Sequence, residues 1–214
     1  VKFGIAEPMT GEMAVGGELC MRGYEIAHEQ TPTVLGKKIE MVLVDNKSDK
    51  VESANAVSRL IERDKVVAVF VSYGSGMAIP GGEVANKAHI PLISGTATNP
   101  LVTQGKEYVF RACFLDPFQG EFIAKYAYEQ LGIRKSALLV DIDQDYSVGL
   151  ANFYKKTFEE LGGQIVSDTK YNTGDQDFSA QLSQVIASGA EALFFPGYFG
   201  DVALIAIQGR DLGY

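Results

Sequence analysis

The stretch VVAVFVSYGSGM at residues 66–77 decides the fold class. Its first six residues are apolar without interruption, which is typical of a strand buried on both faces of a parallel sheet. A turn containing Gly and Ser follows, and from Met77 onward the apolar residues recur with the period of a helix. A buried strand, a turn and a helix together predict a βαβ unit and hence an α/β fold.

The same alternation runs through the whole chain, with right-handed crossovers expected between successive strands. The predicted strands are 2–6, 39–45, 66–71, 90–94, 108–112, 136–141, 164–171 and 192–196. The predicted helices are 17–30, 50–63, 77–88, 118–131, 147–161, 178–187 and 201–212. The rhythm changes near residues 111–119, so we predict two lobes, 1–115 and 116–214, each a mostly parallel sheet flanked by helices. Because no strand follows the last helix, we expect the second lobe to be incomplete at its C-terminal end.

The composition excludes several partners. With 19 Lys and Arg against 27 Asp and Glu, the net charge is −8, and no run of basic residues exceeds a pair. Such a chain lacks the basic surface that binds nucleic acid or an anionic membrane. Its apolar runs are far shorter than the roughly 20 residues of a membrane span. The chain opens on Val1 without a start Met or an apolar leader, and we expect a processed or trimmed end from which a signal peptide has been removed.

Two loops that follow neighbouring strands carry polar groups suited to a small ligand. Ser75 lies where a strand turns into a helix, and the positive helix end attracts a carboxylate or phosphate. The plain interpretation of Ser75 is an N-cap, which we expect in either case. Neither GxGxxG nor a phosphate loop is present. The second loop, residues 94–100, brings Thr96 and Thr98 to the same sheet edge, or is simply a turn closed by Asn99-Pro100.

Two tyrosines follow predicted strands of the second lobe. Tyr146 comes after the strand at 136–141, and Tyr198 after the strand at 192–196. A tyrosine offers an apolar wall and one hydroxyl, which suits a small amphipathic ligand. The alternative is that both are ordinary surface residues.

Signals for catalysis or metal binding are weak. GxSxG is absent and neither histidine lies near a nucleophile motif. Asp141, Asp143 and Asp145 lack the Gly and Glu of an EF-hand, so we expect no metal and no cofactor. Cys20 and Cys113 lie 93 residues apart and predict buried free thiols, with one long-range disulfide as the alternative.

Taken together, the motifs resemble those of the type I periplasmic solute-binding proteins of ABC importers, in the leucine/isoleucine/valine-binding branch. The resemblance covers the whole chain. It rests on GIAEPMTG at 4–11, Asp45 with Ser53-Ala54, Ser75, Ile90-Pro91, ATNP at 97–100, Asp116 with Gln119, DYSVG at 145–149, GDQDFS at 174–179 and Gly197-Tyr198. It implies two lobes joined by a hinge that close on an amino acid, with no reaction performed.

The resemblance also implies roles for single residues. Ser75, Ala97 and Thr98 match positions that hold the ligand's carboxylate and ammonium, and Thr96 lines the same loop. Tyr146 and Tyr198 match residues that close over the ligand.

The chain departs from the family pattern in three places. Val15 stands where leucine-type binders often carry an aromatic residue, which implies a pocket that is wider or differently tuned. Gly74 replaces a cysteine of the branch's disulfide. The acidic residue that meets the ammonium falls beyond Tyr214. We therefore expect poor binding by these 214 residues unless a second copy or fragment completes the site, with homo-oligomers forming through an open sheet edge.

The leading prediction is an amino-acid-capturing component that delivers its ligand to membrane permease subunits. One alternative is the effector-sensing domain of a receptor or regulator, which shares the two-lobe architecture. Another is a small α/β enzyme that processes amino acids, with Cys20 or Cys113 as its nucleophile.

Overall fold

The computed structural model describes residues 1–214, which form two compact units, Val1–Cys113 and Phe114–Tyr214. The strands are β1 Lys2–Glu7, β2 Thr33–Val34, β3 Lys37–Lys38, β4 Glu40–Asp45, β5 Ala68–Phe70, β6 Leu92–Ser94, β7 Val109–Arg111, β8 Lys135–Asp141, β9 Gln164–Tyr171 and β10 Ala192–Phe194. The helices are α1 Ala14–Gln30, α2 Lys50–Glu62, α3 Ser75–Lys87, α4 Asp116–Lys125, α5 Asp145–Glu160, α6 Ser179–Ala187 and α7 Phe199–Asp211. A 3₁₀ turn covers Pro100–Val102, and a π turn covers Tyr126–Gln130.

The first unit is built on a five-stranded sheet in the order β4-β1-β5-β6-β7, with all neighbours parallel. Its main core lies where α2 and α3 pack on the sheet, and it includes Leu60, Val69 and Met77. On α1, Tyr24 packs its ring against Phe70. Burial of a parallel sheet by helices explains why its strands are apolar without alternation.

The second unit has a three-stranded parallel sheet in the order β10-β8-β9. Successive residues of β8 point to opposite faces. Leu138 therefore joins one apolar cluster with Tyr154 and Phe158 of α5, while Leu139 joins a second cluster that includes Phe178. One central strand thus organises both cores.

Most predicted elements are present, and the largest differences lie at their ends. The helices begin up to three residues earlier than predicted, except α2, which begins at the predicted Lys50, and α6, which begins one residue later. The short hairpin of β2 and β3 was not predicted, because its turn contains Leu35, whose φ of +50° is unusual for a non-glycine residue. None of the helices combines the length and hydropathy that crossing a membrane requires.

Candidate ligand-binding site

Ser75 is the first residue of α3, and the predicted N-cap role is wrong. The N-cap is Gly74, whose φ of +90° turns the chain into the helix one residue earlier than the serine predicts. The buried Ser75 hydroxyl instead accepts a hydrogen bond from the main-chain N–H of Asn99, at 3.2 Å. Because Ser75 Oγ is the acceptor in that bond, its own proton is free to be donated elsewhere.

The start of α3 also supplies main-chain donors. The first hydrogen bonds of the helix run from Met77 and Ala78 to the carbonyl of Gly74. The N–H groups of Ser75 and Gly76 precede these bonds, and such groups have no partner inside a helix. Both residues are buried, and the helix end gives the position a partial positive charge.

The second loop lies beside this helix start, because Asn99 is bonded to Ser75. Next to Asn99, Thr98 is 7% exposed, and its main-chain N–H and hydroxyl take no partner within the chain. In contrast to Thr98, Ala97 has partners for both of its main-chain polar groups. Its N–H donates to the Ser94 hydroxyl, and its carbonyl accepts from Arg111 and from the Cys113 thiol.

Thr96 is turned toward the protein. Its hydroxyl donates to the carbonyl of Ser72, at 2.6 Å, and also contacts the Cys20 thiol. The side chain therefore joins the loop after β6 to the loop after β5.

Arg111, in β7, fixes the same loop from the other side. Its guanidinium donates to the carbonyls of Ala97, Asn99 and Pro100 and to the Thr103 hydroxyl, over 2.7–3.1 Å. Four bonds from one rigid group hold the main chain around Thr98 in a single conformation.

The loop after β5 also contains an aromatic residue, Tyr73, which was not among the predicted site residues. The ring of Tyr73 lies so close to Gly16 that a Cβ on Gly16 would overlap it. Val15, the basis for expecting a wider pocket, is 58% exposed. The sequence gives no local signal for the contact between Tyr73 and Gly16, because these residues are 57 positions apart. Tyr73, two residues before Ser75, therefore packs its ring against α1 at Gly16.

In the second unit, Tyr146 and Tyr198 are brought together. Their ring centroids are 5.4 Å apart at an interplanar angle of 40°. The neighbouring Ser147 explains the pairing, because its buried hydroxyl donates to the carbonyl of Pro196 and accepts from the N–H of Asp141. Burial raises the pKa of the Tyr146 phenol, which is also bonded to Gln119. Tyr146 therefore keeps its proton at neutral pH.

The carboxylates of the acidic loop after β8 hold hydrogen bonds within the protein, and both cysteines are partly buried. Asp141 accepts from the Thr173 hydroxyl, and Asp143 accepts from the N–H of Thr173, so these carboxylates tie two loops together. Cys20 and Cys113 are half-buried thiols that form no disulfide, so the disulfide alternative is wrong. Burial raises the pKa of the Cys20 thiol to about 12, which leaves almost no nucleophilic thiolate.

The family model described as "Periplasmic binding protein" matches residues 1–214. The chain belongs to this family. Its members bind solutes and are not enzymes, so the enzyme alternative is wrong, and the predicted type I α/β fold is confirmed.

The relatives of this chain include proteins that are named for binding amino acids. An "Amino acid binding protein" of Pseudomonas aeruginosa is 33% identical over 100% of this chain and 58% of its own length. The leucine binding protein LivK of Thermotoga maritima is 43% identical with a TM-score of 0.98, over 100% of this chain and 61% of that one. The branched-chain amino acid binding protein LivJ of Streptococcus pneumoniae, solved with isoleucine, is 34% identical with a TM-score of 0.90, over the same shares. The chain thus spans about three fifths of the length of these relatives.

Proposed function

We propose that this chain is the amino-acid-capturing part of the substrate-binding component of an ABC importer, and that its ligand is a branched-chain or other aliphatic amino acid. One observation carries the proposal. The Ser75 hydroxyl, the N–H groups that open α3 and the N–H and hydroxyl of Thr98 form a group of donors whose own hydrogen-bonding capacity is not used up within the protein.

These donors suit an α-carboxylate. A carboxylate accepts up to four hydrogen bonds, and each charge-assisted bond contributes about 1.5–3 kcal/mol. The helix end adds partial positive charge at the same place. A group of neutral donors without a basic side chain binds a single negative charge and leaves the ammonium of the amino acid to be met by other groups.

Ala97 and Thr96 receive different roles from those that the family resemblance implies. Both main-chain polar groups of Ala97 already have partners, so we assign it the role of a small residue that leaves room for the ligand. Because the Thr96 hydroxyl donates to the carbonyl of Ser72, we assign Thr96 the role of stabilising the loop after β6. We assign Tyr146 and Tyr198, whose rings pair within the second unit, the role of offering apolar surface and hydroxyls to a ligand.

The names of the relatives support a proposal about the partners, and the family description supports one about the location. LivJ is described as the substrate binding protein of a branched-chain amino acid transporter, and another Pseudomonas aeruginosa relative, 30% identical, as a leucine-, isoleucine-, valine-, threonine- and alanine-binding protein. We propose membrane permease subunits as the partners, and the periplasm, or the outside of the cell, as the location.

Titration calorimetry tests this function. The panel is leucine, isoleucine, valine, alanine, phenylalanine, glutamate and 4-methylpentanoate, which has leucine's carboxylate but no ammonium, with the oligomeric state measured in the same buffer. We expect weak but saturable heat for a branched-chain amino acid. Ser75→Ala and Thr98→Val should each weaken binding by about ten- to a hundredfold, because each removes donors to a charged group.

The exposed Ser183 provides the matched control, and Ser183→Ala should leave the affinity unchanged. Equal affinities for the chain and for both site variants would contradict the assignment of the carboxylate site. Binding of glutamate in preference to every aliphatic amino acid would contradict the ligand class.

A further inference from the structure

Glu7, the last residue of β1, is a fully buried acidic side chain outside the proposed carboxylate site. Its Oε1 accepts from the N–H of Ser72 at 2.6 Å and from the Tyr24 hydroxyl at 2.8 Å. Its Oε2 accepts from the N–H of Tyr73 at 3.0 Å. Every donor on this carboxylate is neutral.

Ser72 connects Glu7 to the loop after β6 through further hydrogen bonds. Its hydroxyl, which is bonded to Tyr24, accepts from the N–H of Gly95 at 2.9 Å. Its carbonyl accepts from the Thr96 hydroxyl. Glu7 is thus connected through one residue to the segment that ends in Thr98, and through Tyr73 to the segment that ends in Ser75.

We propose that Glu7 is a positioning residue for the amino-acid site, and that its ionised carboxylate holds the loops after β5 and β6 in the geometry that receives the ligand. The proposal rests on the proposed function for its ligand, but the loop geometry itself is a property of the free protein.

The hydrogen-bond arrangement explains why the ionised form is required. Three donors need three acceptor sites, and an ionised carboxylate offers about four. Protonation turns one oxygen into a donor. Oε2 accepts a hydrogen bond only from the N–H of Tyr73. A proton added to Oε2 would therefore place two donors against each other. The N–H of Tyr73 would then lose its partner, and the loop after β5 would lose a restraint.

Among the ionisable side chains packed around this site, we expect Glu7 to be the one that titrates near neutral pH. From α1 it faces Tyr24 and Cys20, whose pKa values burial raises far above neutrality. From β4 it is paired in register with Asp45, whose carboxylate accepts from Met9, Thr10 and Lys47 and whose pKa lies below its usual value. Residues 71–74 after β5 and 95–100 after β6 contribute the phenol of Tyr73 and no other ionisable side chain. Burial raises the pKa of Glu7 itself to about 7.

Two amide signals test the proposal without any ligand. Nuclear magnetic resonance would follow the Gly95 N–H, which is bonded to Ser72, and the Tyr73 N–H, which is bonded to Glu7. We expect both amide shifts to titrate with a midpoint near pH 7 in the unmodified chain. In Glu7→Gln the titration should vanish, and exchange of the Gly95 amide should become about tenfold faster.

The matched control is the exposed Glu25 on α1, where Glu25→Gln should change neither signal. Tyr24→Phe removes one donor and keeps the charge, so the titration should persist. If the Gln variant fails to fold, the titration of the unmodified chain still decides. Flat Gly95 and Tyr73 shifts between pH 5 and pH 9, or a titration that survives in Glu7→Gln, would overturn the proposal.

A ligand titration separates this proposal from the proposed function. If only ionised Glu7 supports binding and its pKa is about 7, leucine affinity should rise about thirtyfold from pH 5.5 to pH 8, and Glu7→Gln should abolish this rise. Leucine binding with no pH dependence would contradict the role of Glu7 and leave the function standing. Absent leucine binding with a titrating Gly95 amide would contradict the function and leave the positioning role standing.

Discussion

Replacement of Glu7 by Gln should change how the stability of the first unit depends on pH. Burial raises the pKa of Glu7 from 4.5 to about 7 in the folded chain, so folding favours the protonated form. A raised pKa contributes stability that is fully present below pH 4.5 and is lost as the pH rises through 7. At about 1.4 kcal/mol for each tenfold change in proton affinity, the loss is about 3 kcal/mol.

Native-state hydrogen exchange at the amide of Val69 measures this loss. Val69 lies in β5, is fully buried and donates to the carbonyl of Pro91, so its exchange reports opening of the first unit alone. Other ionisable groups also change stability with pH, but they are common to the chain and to Glu7→Gln. The opening free energy of the chain relative to the variant should therefore fall by about 3 kcal/mol from pH 4.5 to pH 8.

Two results would refute this reasoning. A constant difference between chain and variant across the pH range would mean that folding does not perturb Glu7. A difference that grows with pH would mean that its pKa is lowered rather than raised. Glu25→Gln should follow the unmodified chain throughout.

Substitutions at three further positions, Arg111, Ser147 and Gly16, test the supports of the candidate residues in each unit. Arg111→Lys should loosen the loop after β6 about as much as Arg111→Ala, because the four bonds need a guanidinium; leucine affinity should fall at least tenfold in both. Ser147→Ala should destabilise the second unit by about 1–3 kcal/mol in urea unfolding, since the N–H of Asp141 is left buried without a partner. Gly16→Ala should weaken leucine binding in the chain but not in Tyr73→Ala, where the overlapping ring is gone.

The framework of the fold could be predicted because its signals are local. An uninterrupted apolar run marks each buried strand, and β9 has the predicted bounds, 164–171. The polar loops 72–76 and 94–100 follow strands β5 and β6, whose carboxyl ends lie at the same sheet edge. The candidate site therefore follows from strand order and loop composition.

The details of the site could not be predicted because they depend on backbone angles and distant contacts. The N-cap of α3 is Gly74 and not Ser75 because a positive φ turns the chain earlier. The contact of Tyr73 with Gly16 joins segments that the sequence separates. For Glu7 a signal did exist: an acidic residue that ends an apolar strand of a buried sheet must find donors in the interior.

The central claim is that Ser75, Gly76 and Thr98 receive the carboxylate of an aliphatic amino acid. The most direct measurement follows the amide signals of these three residues while leucine is added up to millimolar concentration, with N-acetyl-leucine amide, which lacks both charges, as the matched control. The account predicts saturable shifts at these three amides with leucine and none with the control. Unchanged amides, or equal shifts with both compounds, would contradict it.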